Sequence, residues 1–220
     1  MTVDSDVRQI YDYRYEEENH AAKEGIWRVL GPFFQRYFGE GPVLDLACDR
    51  GYFVRNVDAP ERWATDLRDV SAHLPDDVRF VQSDSLALAS SLPTSYFGTV
   101  FISNFLEHLA GPDAVLEQLR VVHALLALRG RLVVLQPNAR LTGGAYWDFL
   151  DHRVALTEKS LVEAAELAGL STVEVITRFL PFTTKSRLPQ SPTAVRAYLA
   201  FRPAWFLLGK QTLYVGEKPS

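Results

Sequence analysis

Two aspartates in the first half of the chain are placed to hold a ligand that carries hydroxyl groups. Asp66 and Asp84 each follow a short apolar run, at a separation of roughly twenty residues. Carboxylates at the ends of neighbouring strands can accept hydrogen bonds from the hydroxyls of one ribose. Gly51 follows another apolar run and permits a tight turn, in which the backbone approaches a bound molecule closely. These residues together predict a ribose-binding crevice.

A second group of reactive side chains lies in residues 136–153, which mix an amide, acids, a histidine, arginines and aromatic residues. Loops beyond a strand end commonly bind substrate. His152 is the first candidate for a general base, because its unperturbed pKa suits proton removal near neutral pH. Asp151 or Asp148 is placed to orient it. The alternative is that His152 only anchors the loop before a helix capped by Thr157.

Several other kinds of site are missing from the sequence pattern. The histidines show no metal-ligand spacing, no G-x-S-x-G motif occurs, and a single cysteine, Cys48, excludes an internal disulfide. The 23 Lys and Arg against 27 Asp and Glu give a net charge of −4, which disfavours a dedicated nucleic-acid binder. The polar N-terminus and the lack of a long apolar run predict a cytoplasmic protein without stable membrane insertion.

Short apolar runs alternate with helical segments along the chain. The runs that predict strands are 43–46, 62–64, 78–81, 99–103, 131–136, 172–176 and 211–215. One helix is predicted to begin at Pro112 and to end at Gly130, and another to run from the Thr157 cap to Gly169. The Gly31-Pro32 pair is expected to split the N-terminal helical stretch into two helices.

This alternation predicts an α/β fold with a parallel sheet covered on both faces. Residues 137–157 and 181–208 are long for connections and are expected to form caps over the substrate. The second stretch is basic and aromatic; its basic residues include Lys185, Arg187, Arg196 and Arg202. A hydrophobic cap is the favoured interpretation. A dimer surface, or a cover for an anionic, sugar-rich or amphiphilic ligand near a membrane face, remains open.

The turns between these elements resemble those of the class I S-adenosylmethionine-dependent methyltransferases, whose first motif reads D-x-G-x-G-x-G. The segment D-L-A-C-D-R-G at 45–51 stands where that motif would be. Residues 97–109 resemble the fourth motif, and residues 129–138 resemble the fifth strand and the loop beyond it. The resemblance covers about residues 40–180. It implies one domain over 1–220, with a Rossmann-like, doubly wound, seven-stranded sheet that is mostly parallel and has an antiparallel last strand.

The resemblance also implies roles for individual residues. Asp66 would bind the ribose hydroxyls of S-adenosylmethionine, and Asp84 would contact its adenine amino group. The other residues placed around this cofactor and its product S-adenosylhomocysteine are Asp45, Ala47, Asp49, Gly51, Leu67, Ser85, Asn104 and His108. The loop beyond the fifth strand would bring Asn138, Arg140, Tyr146 and Asp148 to the substrate.

The N-terminal residues 1–40 are expected to form a helical segment over the cofactor site. In similar small methyltransferases such a segment closes over the ligand, which would give Tyr11, Arg14 and Tyr15 a place beside it. Arg14 would then pair with the ligand's carboxylate through two parallel hydrogen bonds. The alternative is that these aromatic residues pack a helix against the sheet.

The chain departs from the motif at two positions, because Ala47 and Asp49 stand where the first two glycines would be. Aspartate adopts a left-handed backbone more readily than most residues, so the turn is expected to survive. The Asp49 carboxylate would face the carboxylate of the ligand, and like charges repel unless a cation such as Arg50 or Arg14 lies between them. Asp49→Gly is therefore expected to bind S-adenosylmethionine more tightly than the wild type.

Three functions are compatible with this sequence. The first is methyl transfer from S-adenosylmethionine to an oxygen or nitrogen of a small molecule, either a sugar of a glycan or a secondary metabolite. The second, prompted by Ala47 and Asp49, is a protein of the same fold that no longer methylates and acts as a binding or regulatory partner or as a cyclase-like scaffold. The third, a nicotinamide-dependent reductase, is disfavoured because no G-x-G-x-x-G run is present. The acceptor and the oligomeric state, including a homodimer, stay open.

Overall fold

The computed structural model describes residues 20–182 and 191–220 and contains one seven-stranded sheet. The strands are β1 (Val43–Leu46), β2 (Arg62–Asp66), β3 (Val78–Gln82), β4 (Phe97–Ser103), β5 (Leu126–Pro137), β6 (Ser171–Ile176) and β7 (Gln211–Glu217). Their order in the sheet is β3-β2-β1-β4-β5-β7-β6. Neighbours from β3 to β5 pair in parallel, and β7 runs antiparallel to both β5 and β6. The predicted fold class is confirmed, as are all seven strands.

The strand order reverses between β1 and β4, which are paired neighbours in the middle of the sheet. In open sheets of this type, a crevice forms outside the carboxyl ends of the strands at the reversal. The sheet therefore places its ligand crevice beside the residues that follow β1, β2 and β4.

The described helices are α1 (His20–Phe34), α2 (Leu88–Ser91), α3 (Pro112–Leu125), α4 (Ala139–Thr142), α5 (Glu158–Leu167), α6 (Pro192–Ala200) and α7 (Arg202–Leu208). The sequence placed the start of α3 and the cap of α5 correctly. Thr157 and Ser160 form a reciprocal capping box at α5, and Gly169 has the left-handed φ of +89° that ends it.

The predicted end of α3 at Gly130 is wrong, because the helix ends at Leu125 and β5 begins at the next residue. Gly130 lies inside β5, where the pairing with β4 is irregular. A Cβ at Gly130 would lie 2.8 Å from the carbonyl oxygens of both Ala127 and Phe97. The glycine is therefore needed for a close approach within the sheet, not for stopping a helix.

The predicted division of the N-terminal helix at Gly31-Pro32 is also wrong. Helix α1 continues through Pro32 to Phe34, and a 3-10 turn follows at Gln35–Tyr37. Pro32 lies two residues before the helix ends at Phe34, so its missing N–H costs one hydrogen bond near the end of the helix without dividing it. Gly31 serves packing: a Cβ there would lie 2.2 Å from the carbonyl oxygen of Asn56.

We expect Gly31→Ala to destabilise the fold, although alanine is normally the better helix residue. The added methyl meets the backbone of Asn56, which cannot rotate away as a side chain could. Overpacking of this kind costs about 1–3 kcal/mol. Thermal unfolding followed by circular dichroism should therefore show a lower melting temperature. Gly144→Ala, where no atom lies within 4 Å of the added Cβ, is the matched control. A Gly31→Ala protein that melts at or above the wild-type temperature would contradict this packing.

Two hydrophobic layers hold the sheet, one on each face, because alternate strand residues point in opposite directions. In β4, Val100 and Ile102 belong to the layer covered by α3 and α5. Phe101 points the other way, into the layer covered by α1 and α7. The ring of Phe53 stacks on Phe101 with centroids 3.7 Å apart, which holds the loop after β1 against the centre of the sheet.

The two long stretches predicted as caps are folded segments in their described parts. Residues 137–157 contain α4 and a 3-10 segment at Gly143–Asp148, and the described part of 181–208 contains α6 and α7. Within the ranges that the structure describes, no helix has both the length and the apolar character needed to span a bilayer.

Candidate functional site

The loop after β1 keeps the shape of a glycine-rich turn although two of its glycines are replaced. Ala47, Asp49 and Gly51 have φ angles of 56°, 50° and 68°, so every second residue is left-handed. Asp49 tolerates this conformation because its short polar side chain suits it. The expectation that the turn survives is confirmed. Gly51 has a further reason to be glycine, since its Cβ would lie 2.1 Å from the Leu74 side chain.

Asp66, the last residue of β2, ties this turn to the second strand. Its Oδ2 accepts a hydrogen bond from the backbone N of Asp49 at 3.0 Å. Its Oδ1 accepts from the backbone N and the Nε of Arg68, at 3.0 and 3.1 Å. A carboxylate has about four lone-pair sites, so Asp66 keeps an acceptor site on Oδ2. The prediction that Asp66 ends the second strand is confirmed.

Arg68 is the residue that the sequence reasoning missed. Its guanidinium lies 3.0 Å from Asp49 Oδ1, and Lys23 Nζ lies 3.7 Å from Asp49 Oδ2. These cations come from α1 and from the loop after β2, and they neutralise Asp49, a role for which the sequence suggested Arg50 or Arg14. Arg14 lies outside the described residues. The sequence signal that could have identified Arg68 is its position two residues after Asp66, just beyond the carboxyl end of β2 and beside the turn at 47–51.

The pair of acids around Arg68 has a clear electrostatic effect. Burial alone would lower the pKa of Arg68, but the charges and hydrogen bonds of Asp66 and Asp49 raise it above its usual range. The guanidinium is therefore a permanent cation that bridges the loops after β1 and β2.

Two buried residues beside the turn, Asp45 and Cys48, have shifted pKa values. Asp45 accepts a hydrogen bond from the backbone N of Val54 at 3.2 Å, and burial raises its pKa. Burial also raises the pKa of the Cys48 thiol, and the charges of Asp45, Asp66 and Asp49 add to this rise. Cys48 is consequently an unreactive structural thiol, and Asp45 supports the turn from beneath.

The third acid, Asp84, lies two residues beyond the end of β3. Its Oδ1 accepts from the backbone N of Leu86 at 2.9 Å and so caps the 3-10 turn Ser85–Ala87. The carbonyl of Ser85 accepts from Gln118 of α3 at 3.3 Å. Leu67, which follows Asp66, leaves 47% of its side chain exposed. The carboxyl ends of three adjacent strands thus carry Asp49, Asp66 and Asp84.

Beyond β4, a buried acid and a histidine hold the loop that follows β5. Asn104 is left-handed, with φ 49°, and its side chain donates to Ser103 Oγ at 2.9 Å. Glu107 is 1% exposed, and its Oε2 accepts from Gln136 Nε2 at 2.9 Å. Its carbonyl accepts the backbone N of Arg153 at 2.8 Å. This bond docks the loop onto the end of β4.

Asp151 pairs with His108, whereas the sequence placed it beside His152. Asp151 Oδ2 lies 3.1 Å from His108 Nδ1, and the Nε2 of the same ring faces Glu107 Oε1 at 3.9 Å. Burial would lower the pKa of His108, but Asp151 and Glu107 outweigh it and raise this pKa. His152 lies behind, with its ring centroid 5.0 Å from that of His108.

The same fold brings together three residues whose sequence spacing gave no hint of it. Each of Glu107, His108 and His152 brings one ring nitrogen or carboxylate oxygen to within 4.8 Å of the other two. Since Asp151 holds one nitrogen of His108 and Gln136 holds one oxygen of Glu107, the arrangement is a buried acid-base cluster beside the carboxyl ends of β4 and β5.

The predicted substrate residues lie in different surroundings. Asn138 is 1% exposed and donates to Glu158 and Thr212 at 2.7 and 3.0 Å. Arg140 pairs with Glu158. The buried Tyr146 donates its hydroxyl to the Val154 carbonyl, and burial raises its pKa. Asp148 is exposed. Their roles in substrate binding stay predictions. The cofactor-binding roles of Tyr11, Arg14 and Tyr15 also stay predictions, because these residues lie outside the described ones.

The sequence also matches a model of a known family. That model describes a methyltransferase domain and aligns with residues 16–175, most of the chain and all strands but β7 and the last residue of β6. The chain belongs to this methyltransferase domain family. A comparison with curated proteins finds no match.

Solved structures show the same methyltransferase fold at low sequence identity. A SAM-dependent methyltransferase from Archaeoglobus fulgidus has a TM-score of 0.64 and 20% identity, over 96% of this chain and 99% of that chain. The 1,6-didemethyltoxoflavin-N1-methyltransferase of Burkholderia thailandensis, with bound S-adenosylhomocysteine, gives 0.59 and 21%, over 99% and 87%. The [4+2]-cyclase SpnF gives 0.59 and 18%, over 87% and 80%.

The residues of this methyltransferase fit the cofactor of the family, S-adenosylmethionine, in shape and in charge. The left-handed turn at 47–51 brings backbone groups to the edge of the crevice. Asp66 keeps an acceptor site for a ribose hydroxyl. Asp49 and Asp66 stand at the carboxyl ends of β1 and β2, and carboxylates there suit a cationic sulfonium better than a basic edge would.

Proposed function

We propose that this methyltransferase transfers the methyl group of S-adenosylmethionine to an oxygen or nitrogen of a small molecule, a sugar of a glycan or a secondary metabolite. The observation that carries the proposal is the turn of alternating left-handed residues at 47, 49 and 51, bonded through Asp49 N to Asp66 at the strand-order reversal. When bound, the cofactor supplies an electrophilic methyl group. Asp66 would hold its ribose, and Asp84 would hold its adenine.

The acceptor would bind between the carboxyl ends of β4 and β5, below the cap formed by residues 137–157. Glu107, His108, Asp151 and His152 concentrate the titratable side chains of this region in one place. Because methyl transfer depends mainly on positioning the two reactants, a base is needed only where the acceptor loses a proton. The geometry favours His108 for that task, with Asp151 as its positioning residue and His152 packed behind them.

Retention of the cofactor tests this function most directly. Mass spectrometry of the purified protein, followed by calorimetry with S-adenosylhomocysteine, should show binding of the nucleoside. A protein that neither retains nor binds the nucleoside at millimolar concentration would overturn the proposal.

The second candidate function is a methyltransferase fold without methyl transfer. It is favoured by the contacts of Arg68, whose guanidinium already bonds to the carboxylates of Asp66 and Asp49. The fold likeness to a protein described as a [4+2]-cyclase supports this candidate. Binding of S-adenosylhomocysteine without turnover of labelled S-adenosylmethionine, across a panel of hydroxyl and amine acceptors, would favour this candidate.

Activity should depend on pH through His108. A base must be neutral, and the pKa of His108 is raised above its ordinary value of 6.5, so kcat/KM should fall as the pH drops through that raised value. Asp151→Asn removes the hydrogen bond and charge that raise the pKa. Neutral imidazole then persists to lower pH, and the acidic limb should move down by about 1 pH unit.

Asp113→Asn, an exposed change at the start of α3, is the matched control and should leave the profile in place. An acidic limb that does not move in Asp151→Asn would show that His108 is not the titrating base.

A further inference from the structure

The distribution of charge along this acidic chain is uneven. Residues 175–216 contain six basic residues and no aspartate or glutamate. The other 17 basic residues share the chain with all 27 acidic ones. A stretch that is basic within an acidic protein points to an anionic partner, because long-range attraction would favour contact through that stretch.

The same stretch exposes large apolar side chains at α7. The exposed fractions are 61% for Phe201, 72% for Phe206, 73% for Leu207 and 42% for Leu208. We call these four residues, together with Arg178, Arg196, Arg202 and Lys210 of the same basic stretch, the α7 patch. Contiguous exposed apolar residues ringed by polar ones mark interaction sites on soluble domains.

The α7 patch is held in place from below. Trp205 is 5% exposed, and its Nε1 donates to the carbonyl of Tyr198 in α6 at 2.9 Å. Its ring meets Phe179 edge-on, with centroids 5.1 Å apart. With Trp205 anchored in the core, the helix period directs the next two residues, Phe206 and Leu207, outward.

The cations of the patch have no carboxylate partner among the residues that the structure describes. Within residues 20–182 and 191–220, no carboxylate forms an ion pair with Arg178, Arg196, Arg202 or Lys210. Arg178 and Arg202 instead lie over the rings of Phe206 and Trp205, at 5.6 and 5.3 Å. The patch therefore offers apolar and cationic groups side by side.

We propose that the α7 patch docks this protein on an anionic lipid surface, with the phenylalanine and leucine side chains in the interface and the basic side chains on the headgroups. An amphipathic element with this composition binds a bilayer without spanning it. A second copy of the chain fits less well, because a two-fold interface would set the same cations against one another.

Docking through this patch would turn the acceptor end of the sheet toward the lipid. The carbonyl of Lys210, just after α7, accepts the backbone N of Asn138, the first residue after β5, at 3.0 Å. The patch and the cap of residues 137–157 are thus neighbours. The docking does not depend on the proposed methyl transfer.

Co-sedimentation with vesicles tests the docking. The probes are vesicles of phosphatidylcholine alone and of phosphatidylcholine with phosphatidylglycerol in equal parts. The full chain should bind the anionic vesicles more tightly, and raising the salt from about 0.1 M to about 1 M should weaken this binding. Arg196→Gln with Arg202→Gln should lower the affinity by about thirtyfold, since each charge near the surface contributes roughly fivefold. Phe206→Ser with Leu207→Ser should lower it by about tenfold or more.

Two double variants serve as matched controls, namely Arg120→Gln with Lys159→Gln and Leu128→Ser with Leu167→Ser. All four residues are exposed and lie outside the patch. Calorimetry with S-adenosylhomocysteine reports the cofactor site separately, so failed docking is distinguishable from a failed functional proposal.

Three results would overturn the docking. The first is equal binding to neutral and anionic vesicles or binding to neither. The second is patch variants that bind as well as the controls. The third is that the protein binds no vesicles but forms a dimer, and that this dimer dissociates in the Phe206→Ser, Leu207→Ser double variant. That result would identify a second copy of the chain as the occupant of the patch.

Discussion

Asp66→Asn is expected to lower the affinity for S-adenosylhomocysteine by about 100-fold. The carboxylate would accept a hydrogen bond from a ribose hydroxyl. It also accepts from the Asp49 amide of the left-handed turn and from the backbone N and the Nε of Arg68. A hydrogen bond to a charged group contributes about 1.5–3 kcal/mol, so the loss of the one ribose bond, at the upper end of this range, accounts for a decrease of this size. Isothermal titration calorimetry measures the effect directly.

Asp58→Asn is the matched control, because Asp58 is an exposed acid that precedes β2 and lies outside the crevice. Both variants should melt close to the wild-type temperature if Asp66 acts mainly on the ligand. An Asp66→Asn protein that binds S-adenosylhomocysteine as tightly as the control would remove Asp66 from the cofactor site.

Arg68→Glu is expected to weaken binding by about 100-fold as well, for an electrostatic reason. Arg68 is the cation between Asp66 and Asp49, at 3.1 and 3.0 Å. Its reversal would place three carboxylates together beside a ligand that carries a carboxylate of its own. Breaking a close charge pair and leaving its partner buried costs about 2–5 kcal/mol. The affinity for S-adenosylhomocysteine, measured by calorimetry at low and high salt, should recover partly as the salt rises.

The double variant Asp49→Gly with Arg68→Glu separates this explanation from simple unfolding. Without the Asp49 carboxylate there is less charge to repel, so the double variant should bind more tightly than Arg68→Glu alone. If the Asp49 change has the same effect in both backgrounds, Arg68 and Asp49 do not act together and the explanation is wrong.

Asp49→Gly by itself is still expected to bind more tightly than the wild type, but the structure reduces the expected gain. The sequence alone suggested a bare carboxylate in the turn. In the folded chain, Arg68 and Lys23 already neutralise much of its charge.

The strands and their connections could be predicted from the sequence because their signals are local. Each strand is a short apolar run between turn residues, such as the fully buried Val43–Leu46. The capping box at Thr157 and the left-handed Gly169 depend on a few consecutive residues. The position of Asp66 at the end of β2 follows from the same local pattern.

The errors in prediction arose where glycine and proline serve contacts between distant segments. Gly31 looked like a helix breaker, yet it lets α1 approach Asn56, which is far away in the sequence. Gly130 looked like a helix stop, yet it allows β5 to pass close to Phe97. A local pattern does not distinguish these uses, because both require a residue without a side chain.

The sequence by itself determined the class of fold, the order of its strands, and the positions of Asp66 and Asp84 at the carboxyl ends of β2 and β3. Only the tertiary structure decided which groups neutralise or orient the acidic side chains: Arg68 for Asp49, and His108 for Asp151. His108 and Asp151 lie 43 residues apart. Their meeting depends on how the loop after β5 docks on Glu107, and that docking is set by packing and backbone hydrogen bonds rather than by the preferences of neighbouring residues.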